Sequence, residues 1–170
     1  MRLSRPIAAG GAVVAGVVLI TGIAYFQPQK LFINERINEP TPTATVSAGS
    51  SAAPAETVLN RSSIQSLEHQ SSGTVILIQA AGGQRVLRFE NLSTSNGPDL
   101  RVYLSSKPAD SNWYGYDMEY VDLGALKGNL GNQNYTIPDG ADLSRYRSAV
   151  IWCRRFKVGF AVAPLTQAGR

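Results

Sequence analysis

Between Gly73 and Pro164 the chain is cut into short β-prone runs by glycine, proline, asparagine and aspartate. That rhythm leaves few folds open. Runs of about four to eight residues bounded by turn formers read as strands and are too short for ordinary helices. Gly73–Ala80 (GTVILIQA) predicts a strand, and Gly82-Gly83 turns it into a second, Val86–Leu92, as an antiparallel hairpin. Leu100–Ser105 alternates as a third strand and Tyr116–Leu123 contains a fourth, while Ser63–His69 reads either as strand or as loop. Gly124–Tyr135 is too rich in glycine and asparagine for a helix interior, so it predicts a structured loop or a bulged strand. A short strand Tyr135–Pro138 follows, then one helical turn at Asp142–Tyr146. Ala149–Cys153 and Lys157–Val162 supply the last two strands, and Pro164 stops the second. About seven or eight evenly spaced segments predict an all-β domain, an antiparallel β-sandwich of jelly-roll-like type.

The ligand inventory narrows the chemistry. The 170 residues hold one Cys and one His and carry a net charge of +4. Structural zinc wants about four Cys or His ligands and iron–sulfur clusters about four cysteines, so no metal site is predicted. One cysteine forms no intrachain disulfide. No basic run exceeds two consecutive residues, which argues against a nucleic-acid partner.

Ahead of the domain, Ile7–Phe26 runs without a charge behind Arg2 and Arg5. Roughly 20 apolar residues in a helix cross a hydrocarbon core of about 30 Å. The segment predicts an uncleaved anchor in the bilayer, a cell-membrane location, a cytoplasmic N-terminus and an extracytoplasmic remainder. Pro40–Ala55 is Pro, Thr, Ser and Ala, with too little to bury to offset the entropy of ordering, so it predicts a disordered tether. The expected division is a cytoplasmic stub at 1–5, an anchor at 6–26, juxtamembrane segment and linker at 27–62, the sandwich at 63–165 and a tail at 166–170.

Cys153 closes an apolar strand and is followed at once by Arg154 and Arg155. In extended chain Cys153 and Arg155 share one face, Trp152 and Arg154 the other. A cation on the sulfur's own face favours thiolate where water reaches it, and burial without that cation does the reverse. His69 is a candidate second ligand or proton partner. Asp99 in Asn96-Gly97-Pro98-Asp99 is suited to bonding backbone amides in a turn. Lys127, Asn132, Gln133 and Tyr135 sit in the glycine-rich stretch, where they either line a cleft or brace a closely packed backbone. Trp152 and Phe156 face either the core or a cofactor.

From Gly73 onward these residues fall into an ordered pattern: Asn96-Gly97-Pro98-Asp99-Leu100, Leu126-Lys127-Gly128-Asn129, Gly131-Asn132-Gln133-Asn134-Tyr135, Ile151-Trp152-Cys153-Arg154-Arg155-Phe156 and Phe160-Ala161-Val162-Ala163. The pattern resembles the DM-thirteen domain family, an electron-transfer family also found beside DOMON domains in animal cell-surface proteins. The resemblance spans about Ser63 to Leu165. It implies a sandwich whose cysteine does redox work, as a free thiol or as a ligand of a non-covalently held group such as haem.

Two functions follow as expectations. One is a membrane-anchored electron-transfer component acting through Cys153, with a membrane or surface redox protein as partner. The alternative is a non-catalytic sandwich that binds protein or glycan and in which Cys153 only packs. Neither reading decides whether the chain is an enzyme.

Overall fold

The computed structural model describes residues 18, 21–22, 33–42, 56–80 and 82–166. The order is β1 (Arg36–Asn38), β2 (Thr57–Ser63), β3 (Gln65–Ser66), β4 (Ser72–Gln79), β5 (Arg85–Ser93), β6 (Leu100–Ser105), β7 (Tyr120–Ala125), β8 (Leu130–Ile137), a 3₁₀ turn at Leu143–Arg145, β9 (Ser148–Cys153) and β10 (Val158–Pro164). They form two five-stranded sheets, β1-β8-β5-β4-β2 and β3-β10-β9-β6-β7. The β1–β8 pair is parallel and the other pairs are antiparallel. The expected all-β sandwich is present.

Alternation decides which side chains meet between the sheets. Val75 and Leu77 of β4, Leu87 and Phe89 of β5 and Tyr135 and Ile137 of β8 join Val102, Leu104, Ile151, Cys153, Phe160 and Ala161 from the other sheet in one buried cluster. The intervening residues of the second sheet are also apolar. Tyr103, Val150, Trp152 and Val162 form a separate buried cluster with Tyr116, against which Ala109 packs. The loop between β6 and β7 therefore covers the outer face of that sheet. Lys107 pins the loop: its ammonium donates to Asp110, to the carbonyls of Asn112 and Tyr114, and lies 4.1 Å from the Tyr116 ring centroid.

Three sequence expectations shift. The glycine-rich stretch is not one loop, because β7 runs to Ala125 and β8 starts at Leu130, well before Tyr135. The predicted turn at Asp142 is a single 3₁₀ turn whose cap Asp142 accepts from the Ser144 amide at 3.0 Å. The segment assigned to juxtamembrane chain and linker contributes β1 and β2 to the first sheet, upstream of the start expected near Ser62. The two are there because partners distant in sequence hold them, which no local pattern announces. The anchor and most of the tether lie outside the described residues. Among the described residues no helix is long and apolar enough to cross a membrane.

Candidate functional site

Cys153 is the last residue of β9, opposite Leu100 of β6 and Val158 of β10. Its side chain points between the sheets and is fully buried. The chain then turns sharply through Arg154–Lys157. The Lys157 amide bonds back to the Cys153 carbonyl at 2.8 Å, and Lys157 takes a φ of 55° to close the turn. The loop between β5 and β6 meets this turn. The Arg154 amide donates to the Asp99 carbonyl at 3.0 Å, and Arg154 Nε donates to Asp99 Oδ2 at 2.9 Å.

Of the two states left open for the thiol, this geometry favours the protonated one. The strand ends at Cys153, so extended-chain alternation does not carry Arg155 onto the sulfur's face. Arg154 is committed to Asp99. Burial pushes the Cys153 thiol up; the backbone N–H groups of Phe156, Arg155 and Asp99 pull it partway back, and the Asp99 carboxylate adds to the push. The charge that shifts it is thus an anion. Haem ligation by this sulfur does not fit either. The atom is packed among core side chains, and its surroundings disfavour the anion that such ligation uses.

His69 lies in the turn between β3 and β4. Its Nε2 pairs with the Glu68 carboxylate, and its ring packs on Phe160 with centroids 3.9 Å apart. Phe160 belongs to the same core cluster as Cys153. Trp152 is buried on the opposite face of β9, beside Tyr103 and Tyr116. It is a core residue of the outer layer. Phe156, in contrast, is half exposed.

The glycine-stretch side chains make bracing contacts to nearby backbone. Gln133 is fully buried; its Oε1 accepts from Tyr135 Oη at 2.7 Å, Lys127 N at 3.1 Å and Gly128 N at 3.3 Å, while Nε2 donates to the Gly128 carbonyl at 2.7 Å. Asn132 Oδ1 accepts from the Asn91 amide. Lys127 Nζ donates to Glu39 Oε1 at 2.6 Å and to the Asn134 carbonyl at 2.8 Å. Together they fix the β7–β8 turn and seat residues 33–42 on β8.

Glu39 is the key of that seating. Besides Lys127, its carboxylate accepts from the Asn134 amide at 2.7 Å, and Arg88, almost wholly buried, donates to the carbonyls of Glu39 and Pro40. Burial alone raises the Glu39 carboxyl, but the bonds from Lys127 and Asn134 and the Lys127 and Arg88 charges outweigh it and hold the group below its ordinary value. A depressed carboxyl stabilises the fold above its unfolded pKa and loses that contribution as pH falls through the folded one. Amide exchange in 33–42 is therefore expected to accelerate as pH drops below the usual carboxylate range, beyond the chemistry of exchange itself. Glu39→Gln is expected to abolish that acid dependence.

Sequence reasoning missed two features. One is Lys107 as the hub of the loop over Trp152; a lone lysine in a polar stretch gives no signal for it. The other is an apolar groove of about 210 Å³ lined by Leu59, Leu77, Leu143, Tyr146 and Leu165. Tyr146 and Leu165 flank Ser148 and Pro164, so the groove lies at the end of β9 remote from Cys153, five strand steps or about 17 Å away. Among the described residues no cluster of His, Cys, Asp and Glu is arranged to hold a metal ion.

A family model described as Electron transfer DM13 matches residues 63–165. No curated protein and no solved structure matches the chain.

Proposed function

Because this chain belongs to the Electron transfer DM13 family, we propose that it is a redox head carried on an N-terminal membrane anchor, extracytoplasmic, and serving a membrane or surface redox protein. The family supports the electron-transfer role in this coarse form. The finer reading centres on Cys153 behind its turn. One observation carries it: Cys153 ends β9 directly beneath the Arg154–Lys157 turn at the rim of the sandwich, and the Asp99 loop closes on that turn. The clasp between Asp99 and Arg154 holds the turn shut over the sulfur.

Cys153 then reacts only through local opening of Arg154–Lys157, because the closed state hides the sulfur. Thiol labelling of the native chain should be slow and faster in Asp99→Asn, by a few-fold, since that change cuts the clasp and removes the anion opposing ionisation. The measurement is the labelling rate against pH at constant ionic strength. A native thiol that labels only on global unfolding, at the same rate in Asp99→Asn, sinks the cysteine reading.

The second reading is a binding module with a structural cysteine. It is favoured by the complete burial of Cys153 and by Trp113 and Tyr114, which are 38% and 55% exposed on the loop that Lys107 holds. In that case Cys153→Ala leaves every redox readout unchanged, while changes at Trp113 and Tyr114 weaken a protein or glycan contact.

A further inference from the structure

The point at which the upstream chain joins the sandwich orients it. Asn96 Nδ2 donates to the Ile33 carbonyl at 3.0 Å, and Asn96 belongs to the loop whose Asp99 clasps Arg154. Ile33 is therefore at the Cys153 end. From there β1 runs parallel to β8, starting at the Arg36–Leu130 pair and moving away from that end. It is held throughout: Glu35 N donates to Asn129 Oδ1, Leu130 N to the Glu35 carbonyl and Glu39 N to the Asn132 carbonyl, followed by the bonds from Lys127 and Arg88. Residues 43–55 thus join two segments already seated on one sheet, β1 and β2. They do not set the distance between the domain and anything upstream of Ile33.

Six residues separate Ile33 from Phe26, the end of the expected anchor, a reach of at most about 25 Å. The end so tethered is the one that presents Arg154-Arg155-Phe156-Lys157. Phe156 is 50% exposed and Ile33 is 55% exposed. The turn itself carries three cations and no anion. Asp99 offsets Arg154 and Glu35 adjoins Arg36 in sequence, which leaves Glu68, hydrogen-bonded to His69, as the remaining carboxylate at this end. An aromatic tip ringed by cations matches the layered chemistry of an anionic membrane surface, with apolar groups at the acyl boundary and Lys and Arg among the headgroups.

We propose that the Cys153 end of the sandwich rests on an anionic bilayer, with Phe156 and Ile33 in the interface and Arg155 and Lys157 on lipid headgroups. This deepens the membrane-anchored reading and rests on it. It also places the clasped turn, and the sulfur beneath it, toward partners within the membrane.

The test uses the full chain in phosphatidylcholine vesicles, with and without phosphatidylserine, containing lipids brominated on the acyl chain. Phe156→Trp adds an indole at the proposed contact, and Val58→Trp adds one on β2, where Val58 pairs with Ile78 toward the opposite end and is 52% exposed. The indole added at 156 is expected to lose emission in anionic vesicles, and the one at 58 to keep it. Lys157→Asn, which tolerates the left-handed backbone, should weaken the bound state about fivefold in the Phe156→Trp background, and salt should weaken it further. Equal quenching at 156 and 58, or quenching at 156 indifferent to phosphatidylserine, overturns the proposal. A carbonate wash separates the two claims. A chain that washes off neutral vesicles has no anchor, and its quenching on anionic vesicles then still decides the surface by the same comparison.

Discussion

Gln133→Leu is expected to destabilise the domain by about 3–5 kcal/mol, although leucine fills nearly the same space. The glutamine is fully buried and serves the Tyr135 hydroxyl, two backbone amides and one carbonyl at once. After the change, Tyr135 Oη still accepts from Lys127 N at 3.0 Å, so that amide is spared. The Tyr135 proton and both backbone groups of Gly128 lose partners, and each buried orphan costs about 1–3 kcal/mol. Leucine's greater apolarity returns part of this. Tyr135→Phe removes one hydroxyl from the same knot and should cost only about 1–2 kcal/mol. Urea unfolding of the detergent-solubilised chain measures both. A Gln133→Leu variant no less stable than Tyr135→Phe would mean that the shared carbonyl oxygen is not what holds the β7–β8 turn.

That knot shows where the sequence was readable and where it was not. Strands such as Gly73–Ala80 and Leu100–Ser105 announce themselves because alternation and turn chemistry are local, and both are found where they were read. Leu130–Ile137 (LGNQNYTI) hides its first half because Gln133 and Asn134 are polar yet inward or clasped, satisfied by Gly128 and Arg88. Arg36–Asn38 has no pattern of its own; Glu39, Arg88 and Lys127 hold it from elsewhere in the chain. The state of the cysteine was left open for the same reason. Its sequence neighbours are cations, but the strand ends on it, and the charge that raises its pKa belongs to Asp99 of the neighbouring loop. Local pattern gave strands and turns; the sign of the field at the sulfur depends on a contact that only the fold makes.

The glycines of the same stretch give the other large effect. Gly131 has a φ of 97°, and a Cβ there would overlap the Ile37 carbonyl oxygen of β1 and crowd Asn38. Gly83, in the β4–β5 turn, has a φ of 86° and open space around its missing Cβ. Alanine at 83 pays only for the left-handed backbone, about 1–2 kcal/mol. At 131 the same strain is joined by an overlap with backbone, which relaxes only if β1 moves. Moving it breaks the amide–carbonyl pairs Leu130–Glu35 and Glu39–Asn132 and slackens the Lys127–Glu39 bridge. Gly131→Ala is therefore expected to lose about 3 kcal/mol and to raise amide exchange throughout 33–42, while Gly83→Ala leaves exchange there untouched. Freed of β1, β8 becomes an edge strand open to pairing with another chain, so Gly131→Ala should also aggregate sooner on warming. On anionic vesicles the same change lengthens the slack between bilayer and sandwich, and the indole of a combined Phe156→Trp variant should recover emission. Equal stability losses at 131 and 83, with 33–42 still protected, would show that the close approach of β1 to Gly131 does not hold the strand, and the orientation argued from that strand would fall with it.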